Sequence, residues 1–212
     1  MCSSDLRIAK CQVMFCWSNY FKELLEQYNA GKKISFPVFG NPPFNQYSGQ
    51  QFAYRVASAQ KKILVVIAPF RQQRMKMLIT FMNNLVKDGC KVFLKEHPYQ
   101  ATMSKPIEGF EKVNGSLYDL LQKEKYDIVV TDVSSSMADI IFFKNKAIYF
   151  SPEGDDIIFS EPNLYSRYLK NAAEHVSALT NFEALNAFVN IDAQEQLLQC
   201  LVQQGDNRIG EY

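Results

Sequence analysis

Histidine is scarce in this chain, with two among 212 residues, and the five cysteines include no Cys-x-x-Cys pair. Zinc ligands come in close Cys and His spacings, so the scarcity argues against a zinc centre and no metal is expected. Cys2, Cys11, Cys16, Cys90 and Cys200 are odd in number and irregularly placed. Reduced thiols fit that pattern better than a disulfide framework. An excess of charge of one sign is also missing, with 23 basic against 22 acidic residues. That balance leaves no electrostatic footprint for nucleic acid or an anionic membrane, and neither is an expected partner. The longest apolar run, Ile63 to Phe70, contains Pro69 and falls far short of the roughly 20 residues a membrane span needs. The opening Met1-Cys-Ser-Ser-Asp-Leu-Arg7 has no basic patch, apolar stretch or small-residue cleavage site. A cytoplasmic location is therefore expected, with at most peripheral contact at the inner face of a membrane. Internal repeats and low-complexity tracts are absent too.

What is present alternates between two periods. Lys62 to Ala68 is a continuous aliphatic run, expected of a strand covered on both faces. Met75, Leu78, Ile79, Met82, Leu85 and Val86 then form the apolar stripe of a helix that should stop at Asp88-Gly89. The unit recurs as strand Lys91 to Lys95, a loop, and a short helix carrying Leu117, Leu120 and Leu121. Strand Asp127 to Thr131, helix Ser136 to Phe143 and strand Lys146 to Phe150 follow. Short strands alternating with helices predict an α/β fold, a doubly wound, Rossmann-like parallel sheet with right-handed crossovers.

Capping boxes at Ser116-x-x-Asp119, Ser136-x-x-Asp139 and Thr180-x-x-Glu183 are expected to open three helices. The last of these carries Phe182, Leu185, Phe188 and Val189. Ahead of the main run come an apolar segment, Val13 to Trp17, and a helix with Phe21, Leu24, Leu25 and Tyr28 on one face. A strand from Ile34 to Phe39 then leads into Gly40-Asn-Pro-Pro43. A loop rich in Pro, Gly, Gln and Ser divides the chain into residues 1–50, a linker-side segment joined to the sheet, and 51–204, the Rossmann-like domain. Residues 205–212 read as a frayed tail.

In an open parallel sheet, ligands bind beyond the carboxyl ends of the strands, where helix N-termini offer unpaired N–H groups. The segments leaving those ends are Ala68-Pro-Phe-Arg71, Glu96-His-Pro98, Asp132-Val-Ser-Ser-Ser136 and Ser151-Pro-Glu-Gly154. Ser134, Ser135 and Ser136 can give an anion backbone N–H groups and hydroxyls in one arc, which suits a diphosphate. The plainer reading makes Ser136 a helix cap and leaves the other two solvated. His97 is the catalytic candidate, because an imidazolium beside a diphosphate stabilises charge on a departing nucleotide; otherwise it is a turn residue. Arg71 is placed to pair with phosphate bidentately, whereas Arg74 reads as a solvated helix residue. His175 has no evident partner and reads as structural.

In order, Gly40-Asn-Pro42, Ile67-Ala-Pro-Phe-Arg71, Glu96-His-Pro98 and Thr131-Asp-Val-Ser-Ser-Ser-Met-Ala-Asp139 resemble the carboxyl-terminal domain of GT-B transferases. The resemblance is closest to the CDP-glycerol glycerophosphotransferases of teichoic-acid synthesis and related capsule enzymes. It spans about residues 7 to 155, and implies that His97, Ser134 and Ser135 contact a donor pyrophosphate, with Arg71, Thr131 and Ser136 beside them. By the same resemblance the substrate is a nucleotide-diphosphate donor, no cofactor is needed, and an amino-terminal acceptor-binding domain or separate chain is the expected partner. Pro43 and Asn45 stand where that family usually has Arg and Asp, and Val133 where it has Tyr. Gly-Asn-Pro is also similar to the non-hydrolysing UDP-N-acetylglucosamine 2-epimerases, whose acidic and Ser-Gly-Gly segments are missing. Tyr126 to Asp132 resembles the phosphoacceptor strand of a response-regulator receiver, but Ala68-Pro-Phe70 stands where that family needs an acidic pair. Three functions follow: a transferase donor domain for a surface polymer, a sugar-nucleotide epimerase, and a non-catalytic nucleotide-binding module.

Overall fold

The computed structural model describes residues 12–47, 50–54, 59–67, 72–96, 107, 109–124, 126–132, 135–152 and 164–202. Its centre is a five-stranded sheet made of β1 (Lys62–Ile67), β2 (Lys91–Glu96), β3 (Glu111–Lys112), β4 (Ile128–Thr131) and β5 (Ala147–Tyr149). The order is β3-β2-β1-β4-β5, and every pairing is parallel. The α/β, doubly wound expectation therefore holds, and the four longer strands begin within a residue of their expected starts. The edge strand β3, of two exposed residues, is too short and polar to read from sequence.

Strand residues alternate between two cores. Ile63, Val65, Val92, Leu94, Ile128, Val130 and Ile148 face one side, against Leu78, Phe81, Met82 and Leu85 of a helix at Gln72–Lys87. Leu64, Phe93, Val129, Ala147 and Tyr149 face the other, against helices Leu117–Lys123 and Ser136–Phe142. Two apolar faces explain why β4 is buried at every position, and why its sequence runs without polar alternation. In chain order the helices are α1 (Asn19–Tyr28), α2 (Pro42–Asn45), α3 (Gln72–Lys87), α4 (Leu117–Lys123), α5 (Ser136–Phe142), α6 (Leu164–Tyr168), α7 (Phe182–Phe188) and α8 (Ile191–Leu201).

Helix α3 stops where its sequence says it should. Gly89 adopts φ 83°, Cys90 N–H donates to Leu85 O and Gly89 N–H to Val86 O, a Schellman motif. The same pair of bonds ends α5, with Lys144 at φ 53° in the left-handed position. Lys144 is held there by Glu195, which also accepts from Tyr54 at 2.6 Å.

The capping boxes fare worse. Ser116 precedes α4 without a side-chain cap bond, and the Asp119 carboxylate pairs with Lys123 one turn on, at 2.7 Å. The residue preceding α5 is Ser135, in helical conformation, and Ser136 is already inside the helix. The cap of α7 is Asn181, accepting from Ala184 N–H, not Thr180. The stretch from Ile34 to Phe39 forms two isolated parallel bridges, Val13 to Ser35 and Cys16 to Val38, in place of a strand, since Pro37 has no N–H to continue a ladder. Val176, Ser177 and Ala178 form a turn after a 3₁₀ helix at Ala172–His175. Helix α8, unforeseen in sequence, is capped by Asn190 accepting from Ala193 N–H. It packs against α1, α5 and α6 and places Leu197 and Leu201 in the second core. The 205–212 tail lies outside the described residues.

Candidate functional site

The strand register brings the carboxyl ends of the central strands to one edge. Ile67 pairs with Glu96, Val66 with Thr131, and Thr131 with Tyr149. The chain runs outward from β1 to β2 and β3, then returns to lay β4 on the opposite side of β1. That reversal is a topological switch point, the place where open α/β sheets leave a crevice for a ligand. β1 ends at Ile67 and β4 at Thr131, on either side of it.

Of the residues singled out from sequence, Arg71, His97 and Ser134 lie outside the described residues. Thr131 is the last residue of β4, almost fully buried, and its hydroxyl has no partner among the described residues. Ser135 is exposed at the start of α5 and Ser136 half-buried after it. His175 is exposed, its ring 5.5 Å from that of Phe188.

The structure adds partners that sequence reading missed. Ser135 lines a cavity of about 140 Å³ together with Trp17, Asn41, Pro43, Tyr118 and Asp139. Asn41 and Pro43 come from the Gly-Asn-Pro segment, far from Ser135 in sequence. Gly40, at φ 81°, makes the turn that no side-chain-bearing residue adopts cheaply, and its N–H donates to Cys16 O. Phe44 then anchors the segment, stacking on Phe142 of α5 with centroids 4.1 Å apart and planes within 6°. Because Ser135 and Asp139 are four residues apart at the start of that same helix, both present toward the anchored turn.

Electrostatically the lining is one-sided. Among the described residues it holds one carboxyl and no cation. Burial pushes the Asp139 carboxyl up to about 6, and the hydrogen bond it accepts from the Tyr118 hydroxyl, at 3.1 Å, pulls only partly the other way. The Tyr118 phenol is pushed well above its ordinary value by burial and by the Asp139 charge, and so stays protonated as donor. Tyr165 is likewise pushed up by burial, with the charges of Asp132 and Asp139 adding to it. Asn41 is 4% exposed, and its side-chain oxygen has no donor among the described residues. The capping-box reading hid Asp139, because it aimed the carboxyl at the helix start when it turns to Tyr118. No sequence signal pointed to Trp17 or Tyr118.

Among the described residues no group of three or more His, Cys, Asp or Glu side chains is arranged to hold a metal ion, and no helix is long and apolar enough to cross a membrane. No family model matches the chain. No curated protein matches it either. A search of solved structures finds the beta Kdo 2,4 transferase KpsC of Thermosulfurimonas dismutans, at 12% identity and a TM-score of 0.33, over 68% of this chain and 53% of that one. The chain thus spans about half the length of that structure. At that score the likeness carries no argument about fold or function.

Proposed function

We propose that this chain is the donor-nucleotide-binding domain of a transferase that moves a sugar or polyol phosphate onto a cell-surface polymer of teichoic-acid or capsule type. The observation that carries the reading is the switch point between β1 and β4. The strands that lead into two of the segments that resemble the transferase motifs, Ala68 to Arg71 and Asp132 to Ser136, are paired there and end at Ile67 and Thr131. A third, Glu96 to Pro98, begins one strand away, at about 5 Å strand spacing. A nucleoside diphosphate bridging them would meet backbone N–H groups, serine hydroxyls and an arginine, the donors that an anion needs.

Thermal unfolding and calorimetry with CDP, UDP, GDP and ADP test it, because a ligand that binds only the folded chain raises its stability by mass action. One of the four should stabilise the protein, and its identity gives the base. Ser135→Ala and His97→Ala should each weaken that binding roughly tenfold to a hundredfold, the loss of one charge-assisted contact. Ser135 makes no side-chain cap bond, so its substitution should leave stability almost unchanged. If none of the four nucleotides binds, the reading fails. Conversion of UDP-N-acetylglucosamine to UDP-N-acetylmannosamine would replace it with an isomerase.

A further inference from the structure

The segments from Gln12 to Trp17 and from Ile34 to Phe39 belong to no strand of the five-stranded sheet. The parallel bridges Val13 to Ser35 and Cys16 to Val38 join them to each other. On one face Cys16 and Phe36 pack with Leu25 of α1, and Met14, Ile34 and Val38 lie half-buried around them. Sheets ordinarily run to about four to six strands, so a pair with so small a core is an incomplete one.

The hydrogen bonds show which edge is open. Ser35 N–H donates to Gln12 O, Ser35 O accepts from Met14 N–H, Pro37 O accepts from Cys16 N–H, and Phe39 N–H donates to Cys16 O. Residues 35, 37 and 39 thus turn their backbone groups inward. Backbone groups alternate in direction along a strand, so those of Phe36 and Val38 point outward, and neither residue makes a backbone hydrogen bond among the described residues. Exposed edges are ordinarily guarded by charge or by proline. No charged side chain stands between Ile34 and Phe39. Pro37 is no guard either, because the N–H it lacks belongs to the inner side, facing the Val13 segment.

We propose that this edge is a self-association surface, on which the Ile34-to-Phe39 segments of two copies pair antiparallel about a two-fold axis at Pro37. The edge is its own complement. Phe36 exchanges both backbone groups with the partner's Val38, and Val38 does the same with the partner's Phe36, so every open group finds a match. The side chains agree, since an aromatic residue opposite a β-branched one is a favourable cross-strand pair, and the symmetry makes that pair twice. Ile34 and Val38, half-buried in the single copy, are covered where the two small cores meet. The axis sets α1 and its mate two strand spacings apart, about 10 Å, which is ordinary helix packing. Because the paired strands run in opposite directions, the ends that carry Trp17 and Asn41 into the cavity point away from each other. The pairing needs neither a nucleotide nor the function proposed above.

Sedimentation velocity of the full chain under reducing conditions, from about 5 to 500 µM, should show monomer giving way to dimer, as a small interface requires. Hydrogen exchange over the same range locates the contact. The Phe36 and Val38 amides should exchange freely in dilute protein and about tenfold more slowly or less in concentrated protein. Those of Ser35 and Phe39, bonded within the chain, should keep the same protection throughout. Val38→Pro removes an outward N–H and no hydrogen bond within the chain, and should raise the dimer Kd about tenfold or more. A chain that stays monomeric over the whole range overturns the proposal. So does a dimer in which the Phe36 and Val38 amides exchange as in the monomer, or one that Val38→Pro leaves as strong. Protection of the two amides that does not change with concentration would assign the edge to another segment of the same chain, and overturns it as well. The wild-type exchange decides even if the variant fails to fold.

Discussion

The Tyr118 hydroxyl donates to Oδ1 of Asp139 at 3.1 Å and ties helix α4 to the first turn of α5. The carboxyl is nonetheless held up to about 6, against an ordinary value of 3.8, because desolvation exceeds what one phenol returns. The folded chain therefore holds this proton more tightly than the unfolded chain does.

Stability should reflect that sign. Between about pH 4 and 6 the native state binds more protons at Asp139 than the unfolded state, so this residue makes stability fall as pH rises. Above pH 6 the full penalty applies, on the order of 2–3 kcal/mol. Asp139→Asn keeps the acceptor for Tyr118 and removes the penalty. Urea unfolding from pH 4 to 7.5 should find the variant at least as stable as wild type at pH 7.5, with a flatter profile below 6. A variant that loses stability at pH 7.5 in parallel with wild type would contradict this.

Gln194 closes an edge of the sheet. Its Oε1 accepts from Ala147 N–H at 3.3 Å and its Nε2 donates to Ala147 O at 2.7 Å, so a fully buried amide stands in for a sixth strand. Asn171 does the same for Ser151, at 2.8 and 2.7 Å. Gln194→Ala leaves a buried N–H and C=O unpaired and should cost about 2–4 kcal/mol. Hydrogen exchange should find the Ala147 amide less protected, with β1 changed only as global stability changes.

Asp127 joins two strand starts. It is buried and its Oδ2 accepts from Lys62 N–H at 2.7 Å, pinning the start of β1 to that of β4. Asp127→Ala should cost about 1.5–3 kcal/mol, and Asp127→Asn should recover roughly half, because the amide keeps an acceptor without the charge. Equal losses in the two variants, measured by denaturant unfolding, would assign the effect to packing instead.

Gly89 tests the end of α3. Nothing lies within 4 Å of where a Cβ would sit, so Gly89→Ala meets only the backbone cost of φ 83°. The loss should be about 1–2 kcal/mol in thermal or urea unfolding. A much larger loss would mean that the side chain collides with something and the turn is rebuilt.

Much of this architecture was legible from residue order. Continuous aliphatic runs at Lys62 and Asp127, and the stripe from Leu78 to Leu85, needed only local periodicity, because a strand covered on both faces and an amphipathic helix each write their burial into consecutive residues. Gly89 marked its helix end because φ > 0 is a property of one residue. Helix starts were less readable: Asp119 pairs with Lys123 one turn on, Asn181 caps α7 where Thr180 was expected, and short-range pattern does not say which neighbour wins.

The candidate site divides the same way. Sequence alone determined that serines follow a strand, that Gly-Asn-Pro makes a turn, and that the sheet is parallel, since each depends on neighbours in the chain. Only the tertiary structure decided that Asn41 and Ser135 line one cavity, that Tyr118 takes Asp139 from its helix start, and that Trp17 lines the same cavity. Those contacts join four segments far apart in sequence through the stacking of Phe44 on Phe142. Packing of that kind is set by shape and burial in three dimensions, which leave no period in the sequence to read.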